Sequence, residues 1–133
     1  MILITGGSGY LAGIISEYFS NTGFEVRIAT RNRNSIQIKP SNNLDIVELD
    51  LEDQTSVDKS CKGVNYIIHL ASLNYSECTQ NPLKAKSINV LGTQKIMSAA
   101  IKHRVQKIIY FSTMHIYGEN LKGIVNEKTK PIT

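Results

Sequence analysis

A glycine cluster set between an apolar run and a helical pattern constrains this chain more than anything else in it. In Ile2-Leu-Ile-Thr-Gly-Gly-Ser-Gly-Tyr-Leu-Ala-Gly13, a strand-like opening meets the cluster, and Tyr10, Leu11, Ile14 and Ile15 follow at helical spacing. A strand that turns through glycine straight into a helix opens a βαβ unit whose helix N-terminus can hold a pyrophosphate. On this reading Gly6 supplies the tight turn, and Gly9 lets backbone N–H groups approach phosphate oxygens with no Cβ in the way. Ala12 stands where a third glycine would meet the strand. The spacing Gly6-x-x-Gly9-x-x-Ala12 differs from the commoner GxGxxG, and the plain alternative is a structural turn.

Beyond the cluster, strand and helix patterns alternate without a linker. A helix from Tyr10 to Asn21 ends near Gly23, where a C-terminal cap belongs, and Phe24 to Thr30 alternates as a strand. Residues 31–43, with Pro40 and Ser41, read as a polar loop with little helix. Leu44 to Leu49 is a third strand, and Asp50 to Lys62 a short helix closed by Gly63. Val64 to Ala71 is almost continuously apolar, as in the middle of a parallel sheet. Asn81 and Pro82 start a long helix to about His103, and Lys107 to Ser112 is a fifth strand. This order predicts an α/β fold, a doubly wound parallel sheet of the Rossmann type with five strands in the order 3-2-1-4-5. Residues 1–133 then form one dinucleotide-binding domain, with ligands at the carboxyl ends of the strands.

The strand ends carry matching chemistry. An acidic residue after strand 2 binds the adenosine ribose 2′-OH when the cofactor is NAD. Thr30 stands there instead, followed by Arg31 and Arg33. A guanidinium beside that hydroxyl suits the 2′-phosphate of NADP, so NADP is the expected cofactor and NAD the possible one. Solvated loop charges are the alternative. Asp50 ends strand 3, where its carboxylate is placed to accept from the adenine amino group or to cap the next helix, with Leu51 packing nearby. His69, Leu70, Ala71 and Ser72 end strand 4 with residues small enough to leave the backbone open, and His69 reads as a packed strand histidine rather than a catalyst.

Composition excludes other classes. Hydrophobic residues at 41% and charged residues at 20% are ordinary for a globular protein, and no apolar run approaches the roughly 20 residues that span a bilayer. The chain starts in a strand at Met1-Ile2, which leaves no room for a signal peptide. The basic residues behind the net charge of +4 are scattered, against nucleic-acid binding. Cys61 and Cys78 have neither metal nor disulfide-framework spacing, which suits a reducing cytoplasm.

Five stretches together resemble a known family. Thr5-Gly-Gly-Ser-Gly-Tyr-Leu-Ala12, Asp50-Leu51, His69-Leu-Ala-Ser72, Asn89-Val-Leu-Gly-Thr93 and Phe111-Ser-Thr-Met-His-Ile-Tyr-Gly118 occur in the order and register of the NAD(P)-dependent epimerase/dehydratases. These are extended short-chain dehydrogenase/reductases acting mostly on nucleotide sugars. The resemblance implies that the glycine loop, with Ser8, Tyr10 and Leu11, holds the pyrophosphate and that Leu70, Ala71 and Ser72 lie along the cofactor. It also implies that Asn89 lies near the active site and that the Thr113 hydroxyl meets the reacting oxygen of the substrate.

The departures are as informative. The family's acid/base pair, Tyr-x-x-x-Lys on the following helix, has no counterpart in residues 1–133; Tyr117 and Lys122 are five apart across a glycine-containing loop. The expectation is therefore an N-terminal portion that binds cofactor and is catalytically silent without the rest. Its full form is a nucleotide-sugar epimerase, dehydratase or reductase; the alternative is a non-catalytic NADP-binding or regulatory protein. Met114 and His115 replace the Asp-Glu pair of the family's dehydratases, which favours epimerase or reductase chemistry. In the resembled family the long helix joins a dimer; here it carries Leu83, Ile88, Leu91, Ile96, Met97, Ala100 and Ile101 around much of its circumference. One face then covers the sheet, another is left bare and a homodimer is expected, with neither nucleic acid nor membrane as partner.

Overall fold

The computed structural model describes residues 1–36, 42–118 and 123–132. Pro40, Ser41 and Lys122 lie outside the described residues. The strands are β1 (Ile2–Thr5), β2 (Val26–Thr30), β3 (Leu44–Glu48), β4 (Tyr66–His69) and β5 (Lys107–Tyr110), all parallel, in the order β3-β2-β1-β4-β5. The order follows from the alternation of strand and helix, because a parallel neighbour requires a crossover. Helices carry the crossovers from β1 to β2, β3 to β4 and β4 to β5, and a 3-10 turn, Arg33–Ser35, lies on the one from β2 to β3.

Side-chain alternation divides the core. Ile2, Ile4, Val26, Ile28 and Ile68 point to one side of the sheet, where Ala12 of α1 (Tyr10–Asn21) meets them. Leu3, Ala29 and Ile67 point to the other, against Val57 and Cys61 of α2 (Gln54–Cys61) and Ile96, Ala99 and Ala100 of α5 (Thr93–Lys102). A strand buried on both faces must be apolar at successive positions, which is why β1 reads as an unbroken run. The expected third glycine is replaced without loss: Ala12 is fully buried at the helix–sheet contact.

Three elements differ from expectation. The helix predicted from Asp50 begins at Gln54, and its cap is Asp53, whose carboxylate accepts from Thr55 N at 2.9 Å and Ser56 N at 3.2 Å. Asp50 instead closes a turn, accepting from Glu52 N at 2.8 Å. A further helix, α3 (Tyr75–Gln80), occupies a stretch given no element from the sequence; Asn74 and Glu77 form a capping box at its start. The long helix is α4 (Pro82–Ala85), a π-helical stretch Lys86–Gly92, and α5, joined through residues of helical backbone conformation. No helix among the described residues is long and apolar enough to cross a membrane.

Candidate functional site

Crossovers in opposite directions from β1 leave a crevice at the carboxyl ends of β1, β2 and β4. A cleft of about 280 Å³ lies there, bounded by Gly6, Ser8 and Gly9 of the glycine turn, by Thr30 to Asn32 after β2, and by Leu70 to Leu73 after β4. Gly6 has φ +75°, and a Cβ on it would stand 2.9 Å from Ala71 N, so glycine is required there by conformation and by contact alike. Gly7, to which the sequence reading gave no separate role, is equally fixed: a Cβ would collide with the Ile28 side chain, and its N–H donates to Ala29 O at 2.9 Å. Gly9 donates its own N–H to Gly6 O at 2.9 Å and becomes the N-cap of α1.

That cap leaves the helix start open. No side chain caps α1, and its first turn holds no acidic residue. The leading N–H groups of a helix have no partner within the helix, so this end presents donors and a partial positive charge. Tyr10 and Leu11 of this turn line an adjoining groove with Ser72 and Phe111.

After β2, Arg31 is exposed and lines the cleft. Asn32 caps a short 3-10 turn, Arg33–Ser35, by accepting from Asn34 N at 3.0 Å. Among the described residues neither Arg31 nor Arg33 has an ion-pair partner. Arg31 and Ser35 line the cleft, whereas Arg33 does not. Leu51 is buried in its wall, and a Cβ on Gly92 would meet Leu51 Cβ at 2.9 Å, so that glycine lets the π-helical stretch approach the wall. Asp50 is not among the lining residues; its Oδ1 accepts from Glu52 N.

A second hollow of about 430 Å³ adjoins the first across Ala71, Ser72 and Leu73, and brings Asn89 and Thr113 together. Thr113 caps a 3-10 turn, Met114–Tyr117, its oxygen accepting from His115 N at 3.3 Å. A hydroxyl that accepts in this way keeps its proton for another acceptor. The Asn89 amide, expected near the active site, is engaged by loop backbone: Oδ1 accepts from Leu73 N at 2.8 Å and Nδ2 donates to Leu73 O at 3.3 Å. The π-helical stretch carries Asn89 and so aims it at the loop. The rings of Tyr75 and His115 stack 5.3 Å apart at the same hollow, a pairing that depends on α3 and that no local pattern announced.

Behind the shared loop, His69 is 1% exposed, and burial pushes its imidazole down to about 4, so it is neutral near pH 7. It is a packed strand histidine, as expected. Burial likewise pushes the Cys61 thiol up to about 11, and the thiol stays protonated and unreactive.

The profile of the NAD dependent epimerase/dehydratase family matches residues 2–133. The chain belongs to that family. Membership implies a nicotinamide dinucleotide as cofactor. Among curated relatives, the UDP-glucose 4-epimerase of Rickettsia rickettsii (strain Sheila Smith) is 33% identical over 134 residues, covering 92% of this chain and 39% of the relative. A putative UDP-glucose 4-epimerase of Methanocaldococcus jannaschii is 32% identical over 126 residues, 90% of this chain and 40% of that one. An epimerase structure from Methanothermobacter thermautotrophicus superposes with a TM-score of 0.89 at 26% identity, covering 99% of this chain and 41% of that one. The chain thus spans about 39% of the length of its first curated relatives, and corresponds to their N-terminal, dinucleotide-binding part.

Proposed function

We propose that residues 1–133 are the cofactor-holding part of a nucleotide-sugar epimerase or reductase that prefers NADP(H), with NAD(H) as the alternative cofactor. The uncapped N-terminus of α1, opening on a cleft whose glycine turn packs at Gly6 directly on the Leu70–Ala71 backbone, carries the reading. Such an end offers N–H donors to an anion, and the glycine turn lets the anion reach them. In this assignment Gly6, Ser8, Gly9, Tyr10 and Leu11 hold the pyrophosphate. Leu51 packs on the adenine, and Leu70, Ala71 and Ser72 run along the dinucleotide. Asp50 accepts from the adenine amino group with the acceptor capacity left on its carboxylate after Glu52 N is bound.

Arg31 supports the phosphate preference. It stands at the rim after β2 without an ion-pair partner among the described residues, and guanidinium binds phosphate bidentately. Thr113 supports sugar chemistry: with its oxygen accepting from His115 N, its O–H is free to orient a substrate oxygen in the second hollow. When bound there, a nicotinamide supplies a hydride acceptor and donor for the sugar carbon. In the whole protein the substrate is a UDP-hexose, by likeness to the 4-epimerases, and acid/base work requires a residue beyond those assigned here. The exposed side of α4 to α5 joins two copies, and unpaired Cys61 and Cys78 suit the cytoplasm.

Calorimetric titration with NADPH and NADH tests the assignment. Tighter binding of NADPH is expected. Equal or NADH-favoured affinity would overturn the Arg31 assignment, and no binding of either would overturn the reading of the cleft.

A further inference from the structure

The loop after β4 forms the wall common to both hollows, and its backbone is held from behind by a chain of side chains. Leu70 N and Ala71 N both donate to Thr5 Oγ1, each at 3.2 Å. Thr5 Oγ1 is also 2.7 Å from His69 Nδ1, and His69 Nε2 is 3.0 Å from Thr93 Oγ1. Thr93 Oγ1 donates in turn to Asn89 O at 2.7 Å.

The direction of every bond in this chain is forced. A hydroxyl has one proton and two lone pairs. Two N–H groups occupy the lone pairs of Thr5, so its proton goes to His69 Nδ1, which must be bare. The ring is neutral, so its proton sits on Nε2 and is donated to Thr93, whose own proton is committed to Asn89 O. Asn89 closes the circuit, because its amide holds Leu73 N and O at the far end of the same loop. Thr5 and His69 are buried, with the Tyr110 ring beside the imidazole at 5.9 Å. The loop must sit where this circuit puts it, since Ala71 N touches the space above Gly6.

We infer that His69 is a positioning residue: fixed as the Nε2–H tautomer, it orients the Thr5 hydroxyl and so sets the Leu70–Leu73 wall against the glycine turn. The inference rests on the reading of that cleft as a dinucleotide site.

The decisive measurement is nitrogen NMR of the imidazole in the naturally produced wild-type protein, with NADPH titration of variants alongside. Nδ1 should appear unprotonated and Nε2 protonated, unchanged between pH 8 and pH 6. Thr5→Val and His69→Phe, checked for a cooperative melt, should each weaken NADPH binding by roughly tenfold or more, the scale of a lost buried hydrogen bond. His69→Asn keeps an acceptor for Thr5 near the position of Nδ1 and should recover most of the affinity. A tautomer protonated on Nδ1, or a ring doubly protonated at pH 6, would overturn the inference whether or not any variant folds. Wild-type binding with unaffected, folded Thr5→Val and His69→Phe would overturn the role of His69 alone. Wild-type protein that binds neither dinucleotide would overturn that role and the reading of the cleft together.

Discussion

Single atoms decide much at this site. The φ of +75° at Gly6 and the 2.9 Å approach of a Cβ to Ala71 N give Gly6→Ala two separate costs. Together they should lower stability by about 1–3 kcal/mol and weaken dinucleotide binding, measured by thermal melts and titration. Arg31→Ala should weaken NADPH roughly 10- to 100-fold, the scale of a hydrogen bond to a charged group, and leave NADH unchanged. Parallel titrations check this, and an equal loss for both cofactors would place Arg31 on a group common to them. His69 makes a pH prediction. Its ordinary value of 6.5 falls to about 4 on folding, so between those values the unfolded chain binds more protons than the folded one. Stability is then full above about pH 6.5 and falls as pH drops towards 4, by roughly 3 kcal/mol at most from this group. Urea melts from pH 7.5 to pH 4 should show the decline, and His69→Phe should flatten it.

Secondary elements are held at their ends by particular side chains. Asp53 satisfies two backbone N–H groups at the start of α2, whereas Asp50 serves only the turn before it. Asp53→Ala should cost about 1 kcal/mol, and Asp50→Ala, away from any cap, less than about 0.5 kcal/mol. Chemical denaturation of the two variants side by side separates them, and the reverse order would return the cap to Asp50. The π-helical stretch has a similar logic on a larger scale. It sets Asn89 against the loop after β4 while Gly92 passes Leu51, so a helix-regularising change here should disturb both hollows.

Across the whole molecule the two faces of the sheet are covered unequally. Among the described residues α2 and α5 cover one face, whereas α1 is the one α-helix on the other, with Ile36 packed beside it. The register Ile68↔Ile109 puts Ile109 on the α1 face, where it is 49% exposed at the sheet edge. Of the apolar side chains on the long helix, Ile88, Ile96 and Ala100 are buried in the core, and Leu83 at 83% and Ile101 at 81% add apolar surface on the helix side. Exposed apolar side chains on both sides of the sheet favour association. The 133-residue chain should therefore self-associate, with its apparent mass rising over a concentration series in light scattering. A monomer at high concentration with a cooperative melt would mean that these side chains are too scattered to drive contact.

The amino-acid sequence by itself determined the five strands and their order, the glycine turn and the site of the cleft. Each depends on local rules: apolar runs on a sheet buried on both faces, glycine where φ is positive, and a crossover between parallel neighbours. Gly6 and the Ala12 contact were legible for that reason. Tertiary structure decided which polar group meets which. Asn89 and Leu73 are 16 residues apart, Thr5 and His69 are 64 apart, and no local pattern states that they touch. The cap of α2 passed from Asp50 to Asp53 because the chain spends three residues turning out of the sheet. The aromatic pair Tyr75–His115 was equally hidden, since its partners sit on elements separated by a whole strand and the long helix. Backbone periodicity is a property of neighbours in sequence, but hydrogen-bond partnership at the carboxyl edge is a property of strands brought side by side.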